Sequence, residues 1–178
     1  MNNILFITFD YHEKNKPIKS VAVATLEAYI KYNIDNTNTT SFSFNMNDEE
    51  SILFKQMSDL HDNAKFGYSH VCLSMYAWNM RFVDSLLDLV KAKQRRTKIV
   101  AGGYEVNTMC INRLIKDFPL IDHYIIGYAE LSLALLISKV DNSRVLNNTG
   151  DGSFEILPVN SIIFNLNSVV VDCVYRVA

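Results

Sequence analysis

Short apolar runs alternate with amphipathic segments along the first 140 residues, and this alternation predicts repeated β-α units. The first run, Ile4–Phe9, is almost wholly apolar, which is typical of a strand buried on both faces. Ser41–Met46 alternates polar and apolar residues with period two, as a half-buried strand does. Three further strands are predicted over Ser69–Ser74, Lys98–Ala101 and His123–Ile126.

Helical periodicity fills the intervals between these strands. The clearest helix follows Asn79, a suitable N-cap residue, and it carries one apolar stripe. That stripe consists of Phe82, Val83, Leu86, Leu87 and Val90. Four more helices are predicted over about Ile18–Tyr32, Glu49–Asp62, Val106–Asp117 and Ala129–Val140. Pro17 suits the first turn of the first helix, and Asn33–Thr40 has the composition of a polar turn region.

Two of these helices show further periodicity. The first is rich in alanine, and two sets of residues recur in it at helical spacing: Val21, Ala24 and Ala28, and Ala22, Leu26 and Tyr29. In the second, which Asp48 is placed to cap, the expected inward residues are Ile52, Leu53, Phe54, Met57 and Leu60.

Five β-α units in succession predict a three-layer, doubly wound α/β domain of the Rossmann-like or flavodoxin-like kind. We expect a parallel five-stranded sheet in the order 2-1-3-4-5 over residues 1–140. Beyond Asp141 the pattern changes to turn residues and short strand-like runs, Phe154–Leu157, Ile162–Leu166 and Val169–Val177. Residues 141–178 are therefore predicted to be a β-containing appendage, or a truncated linker to a missing domain.

The composition limits the classes of partner that this chain is expected to bind. Apolar residues make up 49% of the chain, charged residues 20%, and the net charge is −2, so no basic field favours nucleic acid or an anionic membrane. Cys72, Cys110 and Cys173 are widely separated and odd in number, which is typical of reduced thiols. No signal peptide or membrane-spanning run is apparent. These observations lead us to expect a cytoplasmic protein.

The loops after the strands hold the unusual residues. In a parallel sheet, ligands bind beyond the carboxyl ends of the strands, where the strand order reverses. The corresponding loops are Asp10–Lys16, Ser74–Asn79, Gly102–Glu105 and Gly127–Glu130, and the last three contain the only Trp and three Tyr residues. Large rings at the rim of a crevice favour a large, flat, partly apolar ligand.

Four segments in order resemble the cobalamin-binding domain that precedes the barrel of many radical S-adenosylmethionine enzymes. They are Lys16–Ala28, Val71–Asn79, Ile99–Glu105 and Asp122–Glu130, and the resemblance covers about residues 3–140. It implies a corrinoid held at the carboxyl ends of the strands, and a radical S-adenosylmethionine catalytic domain or partner protein. In such enzymes the corrin receives a methyl group from S-adenosylmethionine and presents it to a substrate radical.

Cobalamin carriers of the methionine synthase type suggest roles for individual residues. Their Asp-x-His-x-x-Gly, Ser-x-Leu and Gly-Gly motifs resemble Asp10–Asn15, Ser74–Tyr76 and Gly102-Gly103. The resemblance implies that His12 binds cobalt while Asp10 fixes its tautomer, and that Ser74 and the glycines meet the displaced nucleotide tail. The full set of cofactor-binding residues that we expect is Asp10, His12, Ser74, Tyr76, Trp78, Gly102, Gly103, Tyr104, Gly127 and Glu130.

The chain departs from these motifs at three places, and each feature has a structural interpretation as well. Asn15 stands in place of Gly, Tyr76 in place of Leu, and Gly127–Glu130 in place of Gly-Glu-Gly-Glu. A His and an Asp in a polar loop are commonly solvated, and Tyr76 and Trp78 also suit a cap on the core.

No two cysteines have the Cys-x-x-x-Cys-x-x-Cys spacing of a radical-enzyme cluster, so we expect no iron–sulfur cluster and no complete catalytic centre in this chain. Other catalytic signatures, such as a P-loop or a Gly-x-Ser-x-Gly elbow, are absent from the sequence. Two functions remain: a cobalamin-binding module, or a degenerate, cofactor-free α/β domain for binding or protein interaction.

Overall fold

Strands and helices alternate throughout the computed structural model, which describes residues 2–13, 20–62, 67–93, 95–138 and 161–165. In chain order the elements are β1 Asn2–Asp10, α1 Val21–Asn33, β2 Thr37–Asn45, α2 Glu50–Asp62, β3 His70–Ser74, α3 Met80–Lys93, β4 Lys98–Gly102, α4 Tyr104–Thr108, α5 Ile111–Asp117, β5 His123–Gly127, α6 Glu130–Ser138 and β6 Ser161–Asn165.

The first five strands form a parallel sheet in the order β2-β1-β3-β4-β5, which confirms the predicted architecture. The order reverses between β1 and β3, where Phe6 pairs with Cys72, and Cys72 in turn pairs with Val100 of β4. β6 extends the sheet by pairing antiparallel with β5. It corresponds to the predicted run Ile162–Leu166, whereas the runs at 154–157 and 169–177 lie outside the described residues.

Helices cover both faces of the sheet and enclose two apolar cores. The larger core lies under α2, α3, α4 and α5, and the smaller under α1 and α6. Alternate strand residues divide between them: Phe9 and Leu73 face the larger core, while Phe6, Cys72 and Val100 face the smaller. The protein therefore has the three layers of a doubly wound fold.

α3 is the helix that the sequence describes best. Its buried side chains are the five predicted ones, Phe82, Val83, Leu86, Leu87 and Val90. Apolar residues at 3.6-residue spacing lie along one side of a helix, so α3 buries its apolar surface in only one orientation against the sheet.

β2 begins earlier than predicted. Residues Thr37–Thr40, assigned to a polar turn, are strand residues that pair with Asn2–Leu5 of β1. The prediction was wrong because β2 lies at the edge of the sheet, where polar and Thr-rich sequence is compatible with a strand that has one neighbour.

α1 buries a face that the helical spacing of its residues did not identify. Val23, Glu27 and Ile30 are buried, whereas Val21 is 81% exposed and Ala24 and Ala28 are exposed as well. The stripe was missed because Glu27, a charged residue, interrupts it, and because alanines fit either a buried or an exposed helix face. Leu26 is half-buried on the cavity side. Pro17 lies outside the described residues.

Two smaller predictions were wrong. The helix expected over Val106–Asp117 is two helices, α4 and α5, because Met109 and Cys110 have extended backbone conformations. In the last turn of α4 the Thr108 hydroxyl donates a hydrogen bond to the Tyr104 carbonyl, and such side-chain bonds compete with backbone ones. In α2, Leu53 and Met57 are buried as predicted, but Ile52 is 44% exposed.

The boundary proposed near residue 140 falls among residues that the structure does not describe, so the division into 1–140 and 141–178 stays a prediction. Within the described ranges, no helix is long and apolar enough to cross a bilayer.

Candidate functional site

A cavity of about 410 Å³ opens at the carboxyl edge of the sheet, between the sheet and helices α1 and α6. Its walls come from the ends of β1, β3, β4 and β5, and so it spans the point where the strand order reverses. Pockets for small molecules in proteins have volumes of about 300–1,000 Å³. The cavity therefore has the position and size of a ligand site.

Two rows of strand residues on one face of the sheet line this cavity. The inner row contains Phe6, Cys72 and Val100, which are paired across three neighbouring strands. Two residues further along each strand come Thr8, Ser74 and Gly102. Because side chains alternate along a strand, residues two apart share a face. The cavity is thus apolar inside and more polar near its mouth.

Seven of the ten predicted site residues line the cavity: Ser74, Tyr76, Gly102, Gly103, Tyr104, Gly127 and Glu130. The other three, Asp10, His12 and Trp78, lie in the loops at the same edge of the sheet but are not part of the cavity wall. The loops after β3, β4 and β5 are therefore brought together, and the residues after β1 form a separate group beside them.

Asp10 is held by hydroxyl groups. The hydroxyls of Thr8 and Ser43 both donate to its Oδ2, at 2.7 and 2.8 Å. The contact from Asp10 to the His12 ring, which the resemblance implies, does not occur among the hydrogen bonds of these two residues; the Asp10 carboxylate accepts from Thr8 and Ser43, and the His12 ring contacts the Glu13 carbonyl.

His12 is oriented by backbone groups. Its Nδ1 lies 3.1 Å from the carbonyl oxygen of Glu13. Its backbone bonds to the side chains of Asn45, the last residue of β2, and Asn47 in the loop that follows. A carbonyl oxygen only accepts hydrogen bonds, so the neutral ring carries its proton on Nδ1. Nε2 then holds a lone pair, and it is buried with no hydrogen-bond partner among the described residues.

Tyr76 and Trp78 form a stacked pair at the rim of the cavity. Their rings are nearly parallel, 4.6 Å apart at an angle of 4°. The Trp78 indole nitrogen donates a hydrogen bond to the carbonyl of Phe9, at 3.2 Å. Both residues were also interpreted as caps on the core, but Trp78 is 47% exposed, so one side of the indole is open to solvent.

Asn79 holds the loop that carries this pair. Its side chain is fully buried, its Oδ1 accepts the Tyr76 N–H at 3.0 Å, and its Nδ2 donates to the Ser74 carbonyl at 2.8 Å. We predicted an N-cap, and Asn79 does directly precede α3, but its amide group bonds to the loop before it. Asn79 is thus a positioning residue for Ser74 and Tyr76.

Gly103 has a conformation and surroundings that admit no side chain. Its φ is +107°, and a Cβ atom there would lie 2.7 Å from the Met75 carbonyl oxygen and 2.9 Å from the Met75 nitrogen. The absence of a side chain lets the loops after β3 and β4 pack together. Gly103 therefore shapes the cavity, and it acts through the neighbouring loop.

The charge on the cavity wall is small. Among the described residues that line it, Glu130 is the one carboxylate and no side chain is cationic. Glu130 begins α6, where a negative charge is favourable with the helix dipole. Cys72 faces the cavity interior, and burial raises the pKa of its thiol, so the thiol is neutral.

Several site residues escaped the sequence analysis. Cys72, Thr8, Val23, Leu26 and Asn107 line the cavity but were not predicted as site residues. Thr8 and Cys72 stand two positions before Asp10 and Ser74, so strand alternation was a usable signal for them. Nothing in the local sequence distinguishes Asn107, whose Oδ1 accepts the Gly127 N–H at 2.7 Å.

The cysteines do not converge within the part of the chain that the structure describes. Cys72 is buried on β3, Cys110 is exposed at the start of α5, and Cys173 lies outside the described residues. No group of three or more His, Cys, Asp or Glu side chains among the described residues is arranged to hold a metal ion. A corrinoid brings its own cobalt and needs at most one protein ligand.

The sequence matches no protein-family model and no curated protein.

Proposed function

We propose that this domain binds a corrinoid of the cobalamin class at the carboxyl edge of its sheet. The observation that carries the proposal is the cavity beside the strand-order reversal, lined by seven of the residues expected to meet the cofactor. The nucleotide tail would occupy the cavity, and the corrin ring would lie over the loops at its mouth. The domain would act as the cofactor-carrying part of a radical S-adenosylmethionine methyltransferase-like system.

Exposed rings around the mouth support this use of the edge. Tyr11, Trp78, Tyr104 and Tyr128, one after each of four strands, are between 47% and 72% exposed. Single exposed aromatic residues are ordinary on protein surfaces, but several at one edge of a sheet are typical of a binding surface. A corrin macrocycle has the extent and the apolar periphery to cover several of them.

His12 is our proposed protein ligand to cobalt. Its Nε2 has no hydrogen-bond partner among the described residues and carries the lone pair that coordination requires, and the Glu13 carbonyl would fix the tautomer in place of Asp10. When bound, the corrinoid would supply the methyl-transfer chemistry, and His12 would coordinate its metal.

Binding is tested by titrating hydroxocobalamin into the full chain, with co-elution in gel filtration and the visible spectrum as measurements. Leu26→Trp fills the cavity from α1 and should abolish co-elution. Tyr32 lies on the same helix and is 91% exposed, so Tyr32→Trp is the matched control and should bind cobalamin normally. An unmodified protein that fails to retain cobalamin at high micromolar concentration contradicts the proposal.

The role of His12 needs a separate measurement. His12→Ala should still co-elute with cobalamin, but its visible spectrum should shift because the nitrogen ligand is replaced by water. An identical spectrum in the two proteins would exclude His12 as the ligand and leave corrinoid binding intact.

The exposed rings also favour a second function, a protein-interaction domain without cofactor. Tyr and Trp dominate the energetics of protein interfaces, and four of these rings share one edge of the sheet. This function predicts no corrinoid binding, together with a partner whose affinity falls when Tyr104 or Tyr128 is changed to Ala.

A further inference from the structure

The outer edge of β2 carries backbone groups that pair with no described strand. β2 is the first strand of the sheet and pairs with β1 on one side only. Its two ends show which residues bond to β1: the Asn36 carbonyl accepts the Asn2 N–H, and the Met46 N–H donates to the Asp10 carbonyl. The N–H and C=O directions alternate along a strand, so even-numbered residues bond to β1. The residues that point away from β1 are Thr37, Thr39, Ser41, Ser43 and Asn45.

This edge lacks the features that usually prevent further pairing. Within the part of the chain that the structure describes, Thr39, Ser41 and Ser43 make no backbone hydrogen bond on their outer side. Proteins commonly protect such an edge with a charged residue, a proline or a bulge. No residue from Asn36 to Asn47 is ionisable or a proline, and all nine residues of β2 pair with β1 in unbroken register. The edge is therefore a template for another strand.

Helix α1 leaves small side chains exposed on the same side of the molecule. Ala22 and Leu26 line the cavity, which separates α1 from α6. Ala24 and Ala28 are exposed, and they lie about 200° round the helix from Ala22 and Leu26, at 3.6 residues per turn. They therefore face away from α6, toward the side on which the sheet ends at β2. Small side chains at this position leave room for a second helix beside α1.

We infer that two copies of this chain pair through their β2 edges, antiparallel and about a twofold axis at Ser41. One sheet then continues through both copies, with their α1 helices side by side on the same face. In this register outward-pointing residues meet each other: Ser41 faces the partner subunit's Ser41, and Thr39 faces the partner subunit's Ser43. Each such pair exchanges two backbone hydrogen bonds in an antiparallel ladder.

The composition of β2 favours a second copy as the occupant of this edge. Self-pairing places hydroxyl side chains opposite hydroxyl side chains, which is a favourable cross-strand combination, and it brings no like charges together within the strand. A charged strand from another protein would find no counter-charge on β2. The inference goes beyond the proposed corrinoid function and does not depend on it, because no residue of β2 lines the cavity.

The first test is the mass of the unmodified full chain in solution, measured by gel filtration with light scattering at high micromolar concentration. We expect the mass of two chains. Ser41→Pro removes an N–H that points away from β1, so the bonds between β1 and β2 remain and only the new pairing is blocked. This variant should have the mass of one chain and an unchanged circular dichroism spectrum. Ser41→Thr keeps the N–H and the hydroxyl and should remain a dimer.

Three results of this test would overturn the inference. They are an unmodified protein with the mass of one chain, open-ended assemblies larger than a dimer, and a folded Ser41→Pro variant that is still a dimer. If Ser41→Pro does not fold, cross-linking of the otherwise unmodified strand decides the question.

Cross-linking also tests the register, in a protein whose Cys110 and Cys173 are replaced by Ser. Ser41→Cys should form a disulfide-linked dimer on mild oxidation, because the two Cα atoms of such a pair lie about 5.5 Å apart. Thr40→Cys is the matched control. Its side chain is more exposed, but the two Cα atoms would lie about 8 Å apart, beyond the reach of a disulfide. Cross-linking at position 40 that equals or exceeds that at position 41 would contradict the twofold pairing at Ser41.

Discussion

The indole nitrogen of Trp78 donates a hydrogen bond to the carbonyl oxygen of Phe9, with 3.2 Å between the two atoms. This bond joins the loop after β3 to the end of β1, across the reversal in strand order. Tyr76 stacks against the indole, so the exposed side of Trp78 is held in place before any ligand arrives. A preorganised ring binds with a smaller loss of conformational entropy than a mobile one does.

Trp78 is the only tryptophan, so its emission reports on this edge of the sheet. Hydroxocobalamin should quench it, and Trp78→Ala should weaken cobalamin binding about three- to tenfold through the loss of ring contact. Trp78→Phe, which keeps a ring, should weaken binding less. Tyr32→Ala removes an exposed ring from α1 and is the control. Unchanged affinity in Trp78→Ala would show that the rim does not contact the ligand.

Removing the Asn79 side chain should destabilise the protein. Asn79→Ala leaves the Tyr76 N–H and the Ser74 carbonyl without their present partners, at a cost of about 2 kcal/mol or more in the free energy of unfolding. Urea denaturation measures this cost. Asn33→Ala removes an exposed amide that bonds to the Tyr29 carbonyl, and should change the free energy by less than about 0.5 kcal/mol. Similar effects of the two substitutions would contradict the positioning role.

The two neighbouring glycines after β4 should respond differently to alanine. Gly103→Ala meets both an unfavourable positive φ and the Met75 backbone, and should cost at least about 2 kcal/mol of stability. Gly102→Ala has its nearest contact at 3.7 Å, from the Ile125 carbonyl, and should fold normally. Because Gly102 lines the cavity, its variant should nevertheless bind cobalamin more weakly. Thermal denaturation and a binding titration separate the two effects.

At the amino ends of the strands, opposite the cavity, the ionisation of Asp122 makes the stability of the protein depend on pH. Burial alone would raise the pKa of its carboxyl group, but hydrogen bonds from Lys91, the Ile99 N–H and Lys98 outweigh burial and lower the pKa below its usual value. A lowered folded-state pKa means that stability is complete above the unfolded pKa of about 3.9 and is lost as the pH falls through the folded pKa.

Asp122→Asn should therefore be less stable than the unmodified protein at pH 7, by about 1–3 kcal/mol, and this gap should narrow as the pH falls below about 4. Urea denaturation between pH 7 and pH 2 measures it. Asp84→Asn, an exposed position on α3, controls for the change in net charge. If the difference in the free energy of unfolding is as large at pH 2 as at pH 7, ionisation of Asp122 does not contribute to stability.

Elements whose residue pattern suits a single environment were predictable from the amino-acid sequence. The predicted bounds are close to the observed ones for the apolar strands β1, β3, β4 and β5 and for helix α3 with its single apolar stripe. The alternation of strands and helices predicted the fold, and with it the strand order. Strands buried on both faces and a helix with one apolar stripe each have a single favourable environment, so local pattern and tertiary structure agree.

Tertiary contacts decided the rest. Thr37–Thr40 are strand residues because they pair with the free edge of β1. α1 buries Val23 and Ile30 together with Glu27. The helical conformation is interrupted between α4 and α5, at Met109 and Cys110. In the same way, the sequence placed the site loops at one edge, but only packing of α1 and α6 against the sheet formed a cavity with Cys72 in its floor. The physical reason is that polar edge strands and alanine-rich helices have nearly equal energies in several arrangements, so distant neighbours select among them.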